Sequence, residues 1–185
     1  MDGDGKEYYL EYLSGSDAAL EKIVELYNKP LVLFICGYSI DIHSAEDIAA
    51  ETFLELILKK NRFVGASSLK TWLFGIAKNK AIDHLRKLGR RKNTSIDEAR
   101  GIADSLCAEG ELLASERNCQ LYLAMLSLSE EYRTVLHLFY FCRMSYEEIA
   151  STTKKTVKQV NNTAYRARIA LKKELERRGF EYENG

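Results

Sequence analysis

Only one proline, Pro30, stands in the 185 residues, and no stretch alternates apolar and polar positions long enough to read as a strand. With apolar residues recurring every three to four positions instead, the pattern predicts an all-α protein. Long apolar runs are also missing. The longest, Leu31-Val32-Leu33-Phe34-Ile35-Cys36, falls far short of the roughly 20 residues that span a bilayer. The acidic start Met1-Asp2-Gly3-Asp4 does not resemble a signal peptide, so a soluble cytoplasmic protein with no membrane insertion is expected. Cysteine is sparse: Cys36, Cys107, Cys119 and Cys142 are widely separated, with no Cys-x-x-Cys pair. Neither a zinc site nor a disulfide framework is expected, only buried or incidental thiols. His43, His84 and His137 have no partners for a Ser/His/Asp or Cys/His arrangement, and no glycine-rich phosphate loop occurs. The expectation is therefore a protein without cofactor that is not an enzyme.

Net charge is absent too, but its zero conceals a pattern. Lys+Arg minus Asp+Glu is −7 over residues 1–61, +8 over 62–92, −6 over 93–131 and +5 over 132–185. Two separate basic blocks suit two contacts on one polyanion, leaving acidic surface for other partners.

The helical pattern divides the chain into two small helical domains joined by a flexible linker. Residues 1–92 form the first, 93–114 the linker and 115–185 the second. In the first, Ser16 is expected to cap a helix carrying Leu20, Ile23, Val24 and Tyr27, with Pro30 opening or kinking the stretch through Tyr38. Ser44-Ala45-Glu46-Asp47 reads as a capping box before an apolar stripe of Ile48, Thr52, Phe53, Leu56 and Ile57. The other face of that helix is acidic, with Glu46, Asp47, Glu51 and Glu55. Ser67 or Ser68 is expected to cap a basic helix that buries Leu69, Leu73, Ile76, Ala77 and Leu85.

The basic helix holds the only tryptophan. Trp72, Phe74 and the preceding Phe63 place rings beside cations, a pairing that stacks unpaired bases while holding their phosphates. Trp72 is also at helical spacing from Leu69 and Ile76, which by itself favours a core residue over a base-stacking one. Asp83 is expected to pair with a basic neighbour one turn away.

In the second domain, Ser145-Tyr146-Glu147-Glu148 and Thr156-Val157-Lys158-Gln159 are two capping boxes eleven residues apart. A short helix must end near Thr153 and a longer one begin at Val157, which is helix-turn-helix spacing. Val160, Ala164, Ala167, Leu171 and Leu175 face inward; Lys158, Asn161, Asn162, Tyr165, Arg166 and Arg168 remain to meet a major groove, where Asn pairs with adenine and Arg with guanine or phosphate.

Four segments carry a resemblance. Ala45-Glu46-Asp47-Ile48-Ala49-Ala50-Glu51-Thr52-Phe53, then Thr71-Trp72-Leu73-x-x-Ile76-Ala77-x-Asn79-x-x-x-Asp83-x-x-Arg86, then Met144-Ser145-Tyr146-Glu147-Glu148-Ile149-Ala150 and Tyr165-Arg166-Ala167-Arg168 resemble, in order, the signatures of the extracytoplasmic-function sigma factors. The resemblance implies a transcription initiation factor that brings core RNA polymerase to promoter DNA and assists its melting. It places polymerase binding on Asp47, Ala50, Glu51 and Glu55, minus-ten binding on Phe63, Ser67, Ser68, Trp72, Lys78, Asn79 and Lys80, and minus-thirty-five binding on Lys158, Asn161, Asn162, Tyr165, Arg166 and Arg168. An anti-sigma factor is a further partner expected from the family. The sequence departs from the pattern at Ala50, where glutamine is common, at Lys154-Lys155, where glycine and an apolar residue form the turn, and at Asn161-Asn162. The competing reading is a conventional helix-turn-helix regulator with an N-terminal dimerisation or sensor domain; it leaves the basic block at 62–92 unexplained.

Overall fold

The structure, a computed structural model, describes residues 5–38, 40–59, 67–89 and 116–180. Among them every regular element is an α-helix: α1 Lys6–Leu13, α2 Asp17–Cys36, α3 Ile42–Leu58, α4 Leu69–Lys87, α5 Glu116–Leu126, α6 Glu130–Tyr140, α7 Tyr146–Thr153 and α8 Val157–Arg177. The segment expected to be a linker, 93–114, and Phe63 lie outside the described residues.

α2 is the spine of the N-terminal half, burying Ile23, Tyr27, Leu31, Phe34 and Ile35. It runs unbroken through Pro30, so the proline does not open a separate helix. Proline removes one backbone donor, but the helix is anchored by buried side chains on both sides of it. α1, unassigned from sequence, starts at Gly5 with φ 62° and buries Tyr9 and Tyr12. Glycine suits that left-handed start, and a Cβ there would come within 2.9 Å of the Tyr27 ring. α3 begins earlier than the expected Ser44 box: Asp41 is the cap and accepts from the Ser44 amide at 2.9 Å. Asp caps as well as Ser does, and that hydrogen bond holds the Asp41 carboxyl below its ordinary pKa. α4 is capped by Ser68, whose Oγ accepts from the Thr71 amide at 3.1 Å.

Both capping boxes of the C-terminal half form. The Glu148 amide donates to Ser145 Oγ and the Ser145 amide to Glu148 Oε2, at 3.2 and 2.9 Å; Thr156 and Gln159 repeat the exchange at 3.2 and 2.8 Å. Between them Lys154 takes a left-handed φ of 56° and ends α7. This is the position where the resembling family places glycine, and a lysine adopts it at a steric cost of about 1–2 kcal/mol. α8 buries Val160, Ala164, Ala167, Leu171 and Leu175, the face expected. A small apolar cluster of Ala124, Met125, Leu136, Ala167, Leu171 and Leu175 ties α8 to α5 and α6.

The two halves share one larger core that runs from Tyr9 to Ala164. At their junction the Phe34 ring meets Phe74 at 5.2 Å, Tyr38 at 5.5 Å and His137 at 5.5 Å. Tyr122 donates its hydroxyl proton to the Leu33 carbonyl at 2.7 Å, and Thr134 donates to the Tyr38 hydroxyl at 3.1 Å. His137 stacks on Phe141 at 5.0 Å. One thiol expectation is corrected: Cys36 and Cys142 are free and buried, but Cys119 is disulfide-bonded, and cysteines with no local spacing motif give no sequence signal of pairing.

Burial drives the His137 imidazole from its ordinary pKa of 6.5 to about 3, partly opposed by the Pro30 carbonyl, which stops short of hydrogen-bond geometry. The unfolded chain takes up this proton below pH 6.5, whereas the folded chain takes it up only near 3. Stability is therefore full above pH 6.5 and declines as pH falls from there towards 3, with a loss of about 2 kcal/mol between pH 7.5 and 5. His137→Leu should remove most of that loss in denaturant melts at the two pH values; an unchanged loss would place the titrating group elsewhere.

Candidate nucleic-acid interface

Three exposed faces follow from these elements. The first is α3, where Asp47, Ala50 and Glu51 are exposed and Glu55 is half-buried. Apolar side chains stand beside the acids: Leu54 is 52% and Leu58 75% exposed, and Ile57, expected in the buried stripe, is exposed as well. The buried positions are Ala45, Ile48, Ala49, Thr52, Phe53 and Leu56. Ile57 falls at the margin of that stripe, one helical step past Leu56. An acidic face with protruding leucines can bind a partner through apolar contact and charge together.

The second face is α4. Asn79 is exposed, Ser67 and Ser68 are half-buried, and Trp72 is half-buried and packs on the core. Phe74, expected beside the cations, is buried against Phe34 instead, because it follows Leu73 on the flank that turns toward α2. Lys80 does not stand free: its ammonium lies 3.0 Å from Glu51 and 3.6 Å from Glu55, joining the acidic and basic faces. Lys59, hydrogen-bonded to Glu55, and Lys80 beside it hold that carboxyl below its ordinary pKa. Lys78 is half-buried, and burial followed by the nearby Lys154 and Lys155 lowers its pKa. Asp83 pairs with Arg86 at 2.6 Å, the local partner expected.

The third face is α8. Lys158, Asn161, Asn162, Tyr165, Arg166 and Arg168 are all exposed, with Tyr165 at 66%. Arg168 is fixed in place: its Nη2 donates to the Tyr146 hydroxyl at 2.7 Å and its guanidinium lies 4.9 Å from the Phe139 ring centre. Such a cation over a ring is pre-oriented. Glu131, which sequence reasoning missed, positions this face. It pairs with Lys155 of the turn and accepts from Thr163 Oγ1 at 3.1 Å, so one carboxylate on α6 holds both the turn and α8. The Lys155 hydrogen bond keeps that carboxyl below its ordinary pKa. No local motif signals a pairing across 24 residues.

Among the described residues no group of His, Cys, Asp and Glu is placed to hold a metal ion, and no helix is long and apolar enough to cross a membrane.

Comparison with known proteins follows the same division. Residues 23–91 match the family described as Sigma-70 region 2, and residues 120–171 match Sigma-70, region 4. The chain is 30% identical over 171 residues to the RNA polymerase sigma-H factor of Pseudomonas aeruginosa, covering 88% of this chain and 89% of that protein. It is 28% identical over 159 residues to the RNA polymerase sigma factor YlaC of Bacillus subtilis, covering 85% and 92%. Among solved structures it is similar to CnrH in complex with the cytosolic domain of CnrY, with TM-score 0.68 at 23% identity over 94% of this chain and 97% of that one. It is also similar to the sigma factor RpoE in complex with the anti-sigma factor NepR from Bartonella quintana, with TM-score 0.65 at 23% identity over 84% and 96%.

The Lys80 to Glu51 contact crosses between helices at the surface, where such pairs contribute little. A double-mutant cycle with Lys80→Met and Glu51→Gln, read by chemical denaturation, should give a coupling below about 1 kcal/mol that shrinks in high salt. No coupling at low salt would mean the two faces are electrostatically independent.

Proposed function

The chain belongs to the extracytoplasmic-function group of the sigma-70 family, and from that premise we propose that it directs core RNA polymerase to specific promoters and helps to melt them. The observation that carries the residue assignment is the pairing of two patterned faces on one chain: a basic helix, α4, beside an acidic-apolar one, α3, and a doubly capped helix-turn-helix presenting Asn, Tyr and Arg.

In this reading residues 1–92 take the polymerase and the minus-ten element, 93–114 connect, and 115–185 take the minus-thirty-five element. Asp47, Glu51 and Glu55 dock on polymerase with Ala50 between them, and the exposed Leu54 and Leu58 add apolar contact. Asn161, Asn162, Tyr165 and Arg166 read base edges in the major groove; Lys158 and the pre-oriented Arg168 hold phosphate. Specific contacts of that kind discriminate bases, while the lysines supply affinity that falls with salt.

Ser67, Ser68, Trp72, Lys78, Asn79 and Lys80, with Phe63, engage the minus-ten strand. Extruding a base costs a few kcal/mol of unstacking, and the charge of +8 over residues 62–92 offsets it through phosphate contacts. The chain itself carries out no catalysis, which belongs to the polymerase, and it acts in the cytoplasm where that enzyme works. Relatives of this fold are solved with CnrY and with the anti-sigma factor NepR, which supports an anti-sigma factor as a regulator here too.

The decisive experiment mixes the purified protein with bacterial core RNA polymerase and maps transcripts from genomic DNA. A core complex with new start sites is expected; tight duplex binding by the protein alone, with neither complex nor start sites, would favour a conventional regulator. Asn161→Ala and Arg166→Ala should each weaken minus-thirty-five recognition by about 1–3 kcal/mol, and unchanged promoter choice would remove those residues from the reading surface.

A further inference from the structure

A cavity of about 440 Å³ opens between α2, α4 and the turn after α6, within the roughly 300–1,000 Å³ typical of small-molecule sites. None of its lining residues belongs to the polymerase-binding or DNA-binding sets. The apolar wall holds the Phe74 and Phe141 rings and the Leu26 side chain. Phe74 is buried, whereas Leu26 is 38% exposed.

The polar side is cationic. Lys70 and Arg143 line it, and no Asp or Glu does. Lys70 donates one ammonium proton to the Cys142 carbonyl at 3.0 Å, which fixes the ammonium at the cavity wall and leaves two further donors. Arg143 is exposed, with its backbone at a left-handed φ of 51°. Amide hydrogen bonds on either side hold it there: Cys142 donates to the His137 carbonyl at 3.2 Å and Met144 to the Leu138 carbonyl at 3.0 Å. A non-glycine residue kept in that region against its steric preference is a feature of ligand sites as well as of turns.

α2 adds an acceptor. Pro30 has no N–H, so the Leu26 carbonyl one turn earlier lacks its helical donor, and both residues line the cavity. A matching ligand carries an anionic group for Lys70 and Arg143, an aromatic body for Phe74 and Phe141, and a hydrogen-bond donor for Leu26. Burial pushes the Cys142 thiol up, so at neutral pH it stays protonated, and the cavity suits reversible binding rather than covalent capture.

We propose that this cavity is a small-molecule site for an aromatic carboxylate that bears a hydrogen-bond donor. Lys70 and Arg143 hold the carboxylate, the planar guanidinium being shaped to meet both oxygens. The ligand ring packs against Phe74 and Phe141, and its N–H or O–H donates to the Leu26 carbonyl. Binding stabilises the folded chain as ligand concentration exceeds Kd. It requires neither polymerase nor DNA, so the site stands whether or not the sigma-factor reading does.

The test titrates the full chain with indole-3-acetate and with 4-hydroxyphenylacetate by isothermal calorimetry, with the melting temperature as a second readout. At least one acid should saturate a single site with a Kd of about 1 mM or tighter. Arg143→Gln and Lys70→Met should each weaken binding about tenfold, as for a lost charge-assisted hydrogen bond. Leu26→Trp, which fills the cavity from an exposed position, should abolish binding. Lys173→Met, exposed on α8, should bind like wild type, and circular dichroism checks that every variant is folded. Tryptophol, which keeps the indole N–H but lacks the carboxylate, should bind about tenfold more weakly than indole-3-acetate. Naphthalene-1-acetate, which lacks the donor, should be weaker by several-fold. Saturation by neither acid, unchanged affinity in Arg143→Gln and Leu26→Trp, or tryptophol binding as tightly as indole-3-acetate would each overturn the site. Equal binding of naphthalene-1-acetate would strike the Leu26 carbonyl from it.

Discussion

The ring of Phe34 is the point on which the packing depends. It sits on α2 and touches Phe74 of α4, Tyr38 after α2 and His137 of α6, so one side chain joins both halves. Removing a buried phenylalanine costs about 3–5 kcal/mol, a large part of the 5–15 kcal/mol typical of a whole domain. α3 and α4 pack on the α2 spine, and α5 and α6 meet it through Tyr122 and His137. The faces that carry function are what this central contact leaves outside: the acids of α3, the basic flank of α4 and the exposed face of α8.

How far this was legible varies with the range of the interaction. The capping boxes at Ser145/Glu148 and Thr156/Gln159 are local exchanges over three residues from which both helix starts follow, and the helical period gives five of the six buried positions of α8, all but Thr163. The Asp41 cap was equally local but was masked by a second plausible box three residues on. α1 was not legible because its apolar face is only two tyrosines wide and its start is a glycine. The burial of Phe74 is not legible for a different reason: a residue next to the core stripe can turn either way, and only the approach of Phe34 decides. Pairings across long separations, such as Glu131 with Lys155 and Ser68 with Glu148, leave no mark in a single sequence.

Charge shows the same division between pattern and partnership. The alternation of acidic and basic blocks is a property of the sequence, and it correctly sets one sign on α3 and the other on α4. Which cations are available is a property of the fold. Lys80 is engaged by Glu51 and Glu55, Arg168 by Tyr146 and Phe139, whereas Lys158 and Arg166 are exposed. A polyanion meeting α4 must therefore compete with the protein's own carboxylates for Lys80. That competition couples the acidic face to the basic one: drawing Lys80 away leaves Glu51 and Glu55 more negative toward whatever α3 binds.

The composition of the junction carries a related tension. A permanent core satisfies its buried polar groups, since each unpaired one costs about 1–3 kcal/mol. Here the unpaired nitrogens of His137 and Arg133 lie among Phe34, Tyr38, Tyr122 and Thr134, while the hydrogen bonds that cross the junction run from Tyr122, Thr134, Ser68 and Lys70 to acceptors that water can replace. Aromatic burial favours the packing of the two halves on each other, and the unmet polar groups oppose it.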